Sequence, residues 1–479
     1  VTRYTNALGG VAETLYLSSG QPYFSRSADT STNAWRYYLD GRVRREIQHN
    51  GAYWETTYDD ALRRVTKIFY SASGTPLATT AIEFDRRGNL IKSTDAAGNT
   101  TTNLFDGLDR LKISAGPPIV TVKEECPFLP NCGNWVTNVL QQTVTNFYDA
   151  AGVWLTNVNT LGEKSITRFD GLGRPIRVEI RDKNQVLIRE TSIGYSADHQ
   201  SVTVTNGSGA DAIVSTTFTD NDGQPLLSIA YPYANVREFT RNTFDLAGNL
   251  LVQARLSATN TSLTTWQIST NSYDGLNRLR SQAALDNAVT TFEYDAAGNV
   301  TNRVMPGGAL KWQARYNNAG QMLEEKNVGS GSVATRTNTY VYYPSTTLFA
   351  GLLQTRKDGR GVLCTNIYDE WFRPVTNSFA GTLSEQNLRV VRQYDVRGFV
   401  TNIIEQFTNS ATGPATTVQH RYDSYGQLMT ETIVVGSNTF TSAGLTWDAA
   451  GRRSTLVLGS IGYNFGWRAD GTLASAALN

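Results

Sequence analysis

One short unit recurs along this chain: an aromatic residue, Asp, two variable residues, Gly, a polar residue and an aliphatic one. It reads Phe84-Asp85-Arg86-Arg87-Gly88-Asn89-Leu90, Phe244-Asp245-Leu246-Ala247-Gly248-Asn249-Leu250 and Tyr294-Asp295-Ala296-Ala297-Gly298-Asn299-Val300. Tyr394-Asp395 with Gly398 and Val400, and Tyr422-Asp423 with Gly426 and Leu428, repeat it. A variant moves the glycine forward, at Phe105-Asp106-Gly107, Phe169-Asp170-Gly171 and Tyr273-Asp274-Gly275. A repeat at this period means stacked copies of one small unit. The estimate of about three domains from length alone therefore gives way to a single continuous array over residues 1–479.

The spacing has a mechanism. Asp opens a type I turn by accepting a bond from its own backbone two residues on, and a left-handed residue closes it, which is the three-residue hairpin with a G1 bulge. Gly88, Gly98, Gly152, Gly248, Gly298, Gly320, Gly398, Gly426, Gly451 and Gly471 fall in the left-handed slot, and in the variant Asp109, Gly173 and Asn277 do, all residue types that tolerate positive φ. Each aromatic then faces the residue six positions later across the hairpin: Phe84 with Leu90, Phe105 with Leu111, Tyr148 with Trp154, Phe244 with Leu250, Tyr273 with Leu279, Tyr294 with Val300, Tyr316 with Met322, Tyr394 with Val400, Tyr422 with Leu428 and Trp467 with Leu473. One face of the sheet is apolar by this construction.

The pattern is departed from in three ways. Phe372 and Leu62 occupy the left-handed slot, where a bulky residue is costly, so those two turns are expected to take another conformation. Pro175 and Pro374 sit at the paired position without an N–H, which predicts a break or an edge. Between Phe105 and Tyr148 the spacing opens to 43 residues, and 113–146 reads as an insertion loop carrying Cys126 and Cys132. Those two cysteines lie close enough in sequence to close a small disulfide in an oxidising compartment; Cys364 stands alone in a strand and reads as a small buried hydrophobe.

Composition excludes several functions. With 43 Lys+Arg against 42 Asp+Glu the chain lacks the basic stripe of a nucleic-acid binder, and no apolar run is long enough for a membrane-spanning helix. His49, His199 and His420 are far apart and follow no metal-ligand spacing, and no HExxH, GxSxG or phosphate-loop motif occurs, so we expect no enzyme and no cofactor. Asp220-Asn221-Asp222-Gly223 is the most acidic turn, but the twelve-residue Ca²⁺ loop pattern fails there and it reads as a solvated turn. Trp135 and Trp371, one in the insertion and one in an irregular turn, are the aromatic residues expected to be exposed, with glycan stacking as the use.

These aromatic-Asp repeats resemble the YD repeats of the RHS (rearrangement hotspot) family, which includes bacterial toxin-complex shell proteins and the animal teneurins. The match runs from about Tyr58 to Trp467, with Asp40-Gly41-Arg42-Val43 as a partial copy. The resemblance implies an all-β fold of tandem antiparallel hairpins whose sheet spirals and closes into a hollow shell, barrel or tube. It also implies an extracellular, secreted or surface location, and a wall that encloses a toxin segment or presents an adhesion surface. Family shells carry an Asp-Pro self-cleavage motif, whereas none of the 13 prolines here follows Asp. The expected role is structural, with three kinds of partner: further repeats or copies of itself, a glycan or cell-surface protein, and an enclosed cargo.

Overall fold

The computed structural model describes the chain apart from residues 125–134, 234–235, 260–265, 285, 309, 330–333, 384–385, 409–414 and 479. Among the described residues, 39 strands form one antiparallel sheet, two more form a separate hairpin, and helix is confined to short 3-10 turns such as Gly209–Asp211. Every strand of the large sheet pairs with the next in sequence, with one exception. Leu111–Ala115 pairs directly with Thr143–Tyr148, leaving Ile119–Glu124 and Trp135–Leu140 to pair with each other outside the ribbon. Residues 113–115 and 143–146 therefore belong to the main ladder, and the excursion proper covers 116–142. Cys126 and Cys132 lie outside the described residues, as does the Trp135 side chain.

All thirteen residues expected in the left-handed slot have φ between 61° and 97°. The turns close with the same two bonds: Asp295 N to the Asn299 carbonyl at 2.9 Å, and Gly298 N to the Asp295 carbonyl at 3.1 Å. Nine of the ten aromatic pairs have the expected partner, Tyr294 opposite Val300 and Tyr422 opposite Leu428 among them. Tyr148 instead faces Leu155, because Asp149 N bonds the Trp154 carbonyl and the turn holds one residue more.

Two further expectations are corrected. Phe372 does occupy the left-handed region, at φ 60°, with Asp369 N bonded to the Arg373 carbonyl at 3.1 Å as in the regular sister turns. The Leu62 turn does differ, its positive φ passing to Arg63. Pro175 and Pro374 break nothing. Each is the first residue of its strand, paired with Phe169 and Tyr368, and the ladder continues on both sides. At that position the missing N–H points off the ladder, and the proline carbonyl is used, accepting from the Tyr195 and Tyr394 hydroxyls at 3.1 and 2.9 Å.

The ribbon returns onto itself. Asn6 Nδ2 donates to the Asn318 carbonyl at 2.7 Å, Asn50 Nδ2 to the Glu370 carbonyl at 2.9 Å, and the Gln142 N–H to the Tyr425 hydroxyl at 2.7 Å, across separations of 312, 320 and 283 residues. One circuit thus takes about 300 residues, and 479 residues make about one and a half. Among the described residues there is no closure by strand pairing, as in a barrel. Thr2–Thr5 and Leu473–Leu478 each pair on one side only, and the circuits meet through their turns, one above the other.

Candidate functional site

Two features organise the molecule: a rail of linked turns along one rim, and a seam where the second circuit rests on the first. The rail begins with the turn aspartates. Asp274 Oδ1 accepts the backbone N–H groups of Leu276 and Arg278 at 2.9 and 3.0 Å, while Oδ2 accepts Arg278 Nε at 2.7 Å. In sister turns Asn replaces Arg, as where Asn299 Nδ2 donates to Asp295 Oδ2 at 2.9 Å. These bonds favour the ionised form. The side chain and backbone of Asn89 hold the Asp85 carboxyl below the usual carboxylate range, and the backbone N–H of Arg278 leads the same lowering at Asp274.

The same Arg or Asn reaches forward to the next turn. The guanidiniums of Arg110, Arg174, Arg278 and Arg373 lie 4.1 to 4.7 Å from the ring centres of Tyr148, Tyr195, Tyr294 and Tyr394, a cation–π arrangement. Asn89 and Asn249 instead donate to Asp109 and Asn277, the left-handed residues of the following turns, at 2.8 and 3.0 Å.

Between hairpins a second bond recurs that sequence reading missed. The hydroxyl of each signature tyrosine donates to the carbonyl of the aliphatic residue in the preceding hairpin: Tyr294 to Leu279 at 2.7 Å, Tyr316 to Val300 at 3.0 Å and Tyr422 to Val400 at 3.0 Å. An asparagine two positions before the aromatic often shares the acceptor, as Asn271 does with Tyr273 on the Leu250 carbonyl. Where the aromatic is Phe105 or Phe244, Asn103 or Asn242 serves alone, on the Leu90 and Pro225 carbonyls. The signal was present as an Asn-x-aromatic spacing.

The seam joins two different rims. The aromatic-Asp turns of the second circuit rest on the opposite set of turns of the first. Trp371, expected to be exposed, is instead the central apolar contact, its ring 3.9 Å from Phe69 and 5.6 Å from Trp54 between ring centres. Phe69 and Ala52 are fully buried there. Around this cluster the seam is polar. His49 Nε2 donates to the Thr347 carbonyl at 2.9 Å while Nδ1 accepts from the Thr32 hydroxyl. Arg452 binds Glu163 of the first circuit at 3.1 Å and Asp448 of its own turn at 2.8 Å. The approach is close enough that a side chain at Gly10 would collide with the Asn318 carbonyl, and one at Gly116 with the Tyr425 ring.

The remaining chemistry-bearing residues have local partners. His199 Nδ1 accepts from Arg174 at 2.9 Å, and His420 lies 3.2 Å from Glu431, so the three histidines stay apart. Asp220 Oδ1 accepts the N–H groups of Asp222 and Gln224, as in an ordinary turn of the rail. Among the described residues no cluster of three His, Cys, Asp or Glu side chains suits a metal ion. Cys364 is half-buried and free, its thiol pKa pushed up by burial. A polar cluster centres on Glu325, which accepts from Tyr340 at 2.6 Å, Asn338 at 2.8 Å and Trp312 Nε1 at 3.0 Å. Burial and the Glu325 carboxylate push Tyr340 up to about 12, which keeps its proton in place at neutral pH. One cleft of about 760 Å³ lies between the turns at Asp220 and Asp245, with Phe239 and Trp266 on its walls and Arg241 and Asp222 at its edges.

The comparisons with known proteins agree with this architecture. A family model described as RHS Repeat matches residues 273–310. No curated protein matches the sequence significantly. Among solved structures, the crystal structure of TcdB2-TccC3-Cdc42 superposes with a TM-score of 0.70 at 16% identity, over 97% of this chain and 26% of that one. The crystal structure of TcdB2-TccC3-TEV gives 0.67 at 17% identity, over 97% and 26%. The Tc holotoxin pore of Photorhabdus luminescens gives 0.69 at 15% identity, over 99% and 27%. The chain thus spans about a quarter of the length of the chains it matches, and at these identities the likeness is one of fold. The chain carries a match to the RHS repeat at residues 273–310 and shares its fold with these structures.

Proposed function

We propose that this chain is a non-enzymatic wall segment of a secreted or surface-displayed RHS shell, and that the shell encloses a cargo segment. The observation that carries the reading is the seam, since a ribbon stacked on its own earlier circuit makes a wall. Between Asn6 and Asn318 it runs through about 25 strands, at ~4.8 Å apiece on the order of 120 Å of circumference, or roughly 40 Å across. That width leaves room for a chain segment inside once side chains are allowed for. The similarity in fold to Tc toxin assemblies supports the same reading. Electron cryomicroscopy of the protein purified from its source tests it. A two-tier wall around interior density that does not belong to the ribbon is expected; a flat or unrolled ribbon would overturn the wall, and an empty shell the cargo.

A second reading, recognition of a glycan, is favoured by the cleft at Trp266. Its indole is 40% exposed and 6.4 Å from the Phe239 ring, with Arg241 and Asp222 beside them. An apolar platform with hydroxyl-binding groups at its edge suits a neutral sugar ring. Loss of a reproducible glycan-array signal in Trp266→Ala supports this reading; absence of any signal for the unaltered protein removes it.

A further inference from the structure

The near-equality of 43 Lys+Arg and 42 Asp+Glu conceals a sorting of charge between the two faces of the sheet. From Lys311–Tyr316 to Leu428–Val435 the pairing register separates a face that carries the signature aromatics from one that does not. On the aromatic face Glu325, Glu405 and Glu431 balance Arg336, Arg356 and Arg392. The strands of the other face carry Lys311, Arg315, Lys326, Lys357, Arg389 and Arg421 against a single carboxylate, Glu324. Lys326 pairs with that carboxylate at 2.8 Å, and among the described residues the other five cations form no ion pair.

The cationic face is also the more exposed one. Lys311, Gln313 and Arg315 are exposed where Trp312, Ala314 and Tyr316 are half-buried, and Gln419 and Arg421 are exposed where His420 and Tyr422 are half-buried. Long polar side chains alone do not account for this. The apolar Val341 and Ile367 on the same face are 51% and 46% exposed, whereas Val390 on the aromatic face is 7% exposed. In a coiled sheet the side chains of the inner face converge and screen one another, while those of the outer face splay apart; by that rule the cations are turned outward.

We infer that this stretch of the outer face binds a linear acidic polysaccharide, whose sulfate or carboxylate groups are taken by Lys311, Arg315, Lys357, Arg389 and Arg421. Unpaired guanidinium and ammonium groups are the natural partners of such anions, and Thr339, Thr355, Ser378, Gln393 and Gln419 offer hydroxyls and amides between them. Among the described strand residues of this face none is aromatic, so it lacks the stacking platform of a single-stranded nucleic-acid binder. A nucleic-acid duplex, stiff over about 50 nm, would touch only a few strands of a convex wall. A thin flexible chain can follow the strands from Lys311–Tyr316 to Thr416–Tyr422, on the order of 40 Å at ~4.8 Å per strand. The inference takes from the wall reading only which face is turned outward, and its failure would leave the two-tier wall in place.

Fluorescence anisotropy with a labelled heparin oligosaccharide tests it on three proteins: the unaltered chain, a face variant (Lys357→Gln, Arg389→Gln, Arg421→Gln) and a control that loses the same charge elsewhere (Arg86→Gln, Arg303→Gln, Arg336→Gln). Circular dichroism checks that each keeps its strand content. The unaltered chain is expected to bind, with an affinity that falls steeply between about 50 and 200 mM NaCl as counterions are released. The face variant should bind at least about tenfold more weakly with a shallower salt dependence, and the control nearly as well as the unaltered chain. No binding of heparin by the unaltered chain would overturn the inference, as would an equal loss in both variants, which would make the effect one of net charge alone. A labelled DNA duplex that binds as tightly as heparin at the same salt would also overturn it, by making the partner a nucleic acid.

Discussion

At the scale of residues, the hairpins are tied together by hydroxyl-to-carbonyl bonds as well as by the strand ladder. Tyr294 alone serves the Leu279 carbonyl, whereas Tyr273 shares the Leu250 carbonyl with Asn271. Tyr294→Phe is therefore expected to cost about 1 kcal/mol, and Tyr273→Phe clearly less, both read from urea midpoints. At Gly298, φ is 91° and an added Cβ would meet no atom within 4 Å. Gly298→Ala should still cost about 1–2 kcal/mol, all of it from the backbone. The turn carboxylates set the acid response. Asp85, Asp245 and Asp274 have folded-state pKa values below the ordinary one, so their contribution is present above the unfolded value of about 3.9 and is lost as the pH falls through the folded values. The melting temperature should hold steady from neutral pH down to about pH 5 and fall below about pH 4, with a shallower fall in Asp85→Asn/Asp274→Asn.

At the scale of elements, the turns do two jobs with one geometry. Along the ribbon they link neighbours, so stability there is mostly local, as in other linear arrays. Across the seam they link residues about 300 positions apart, through Trp371, Tyr425 and Arg452. Trp371→Ala removes the apolar centre of the seam and is expected to cost about 3 kcal/mol. Amide exchange should quicken in the turns at 48–52 and 71–75 and not at 274–278, which lies away from the seam. The turn geometry was legible in the sequence because it is set within five residues: Asp at the start and Gly, Asn or Asp in the left-handed slot. Phe372 shows the limit of that logic. Its cost at positive φ is local, but the bonds of Asp369 and the neighbouring seam contact of Trp371 hold the turn in the common form.

At the scale of the whole molecule, the seam was not legible. Which turns meet depends on twist summed over about 25 strands and on the lengths of every second turn, so a small local change shifts the register of the entire second circuit. Trp371 looked like an exposed ring because nothing near it in sequence covers it; Phe69 and Trp54 do so from the other circuit. The Asn-x-aromatic spacing was visible, but its acceptor lies one hairpin back, and only pairing register shows that. The central claim is that the ribbon coils and rests its second circuit on its first, and the most direct measurement of it is a distance. With the three native cysteines changed to serine, spin labels at Asn6→Cys and Asn318→Cys should give a short, narrow distribution by pulsed electron resonance, since those residues are hydrogen-bonded across the seam. A long or broad distribution in a protein that keeps its strand content would contradict the coiled wall.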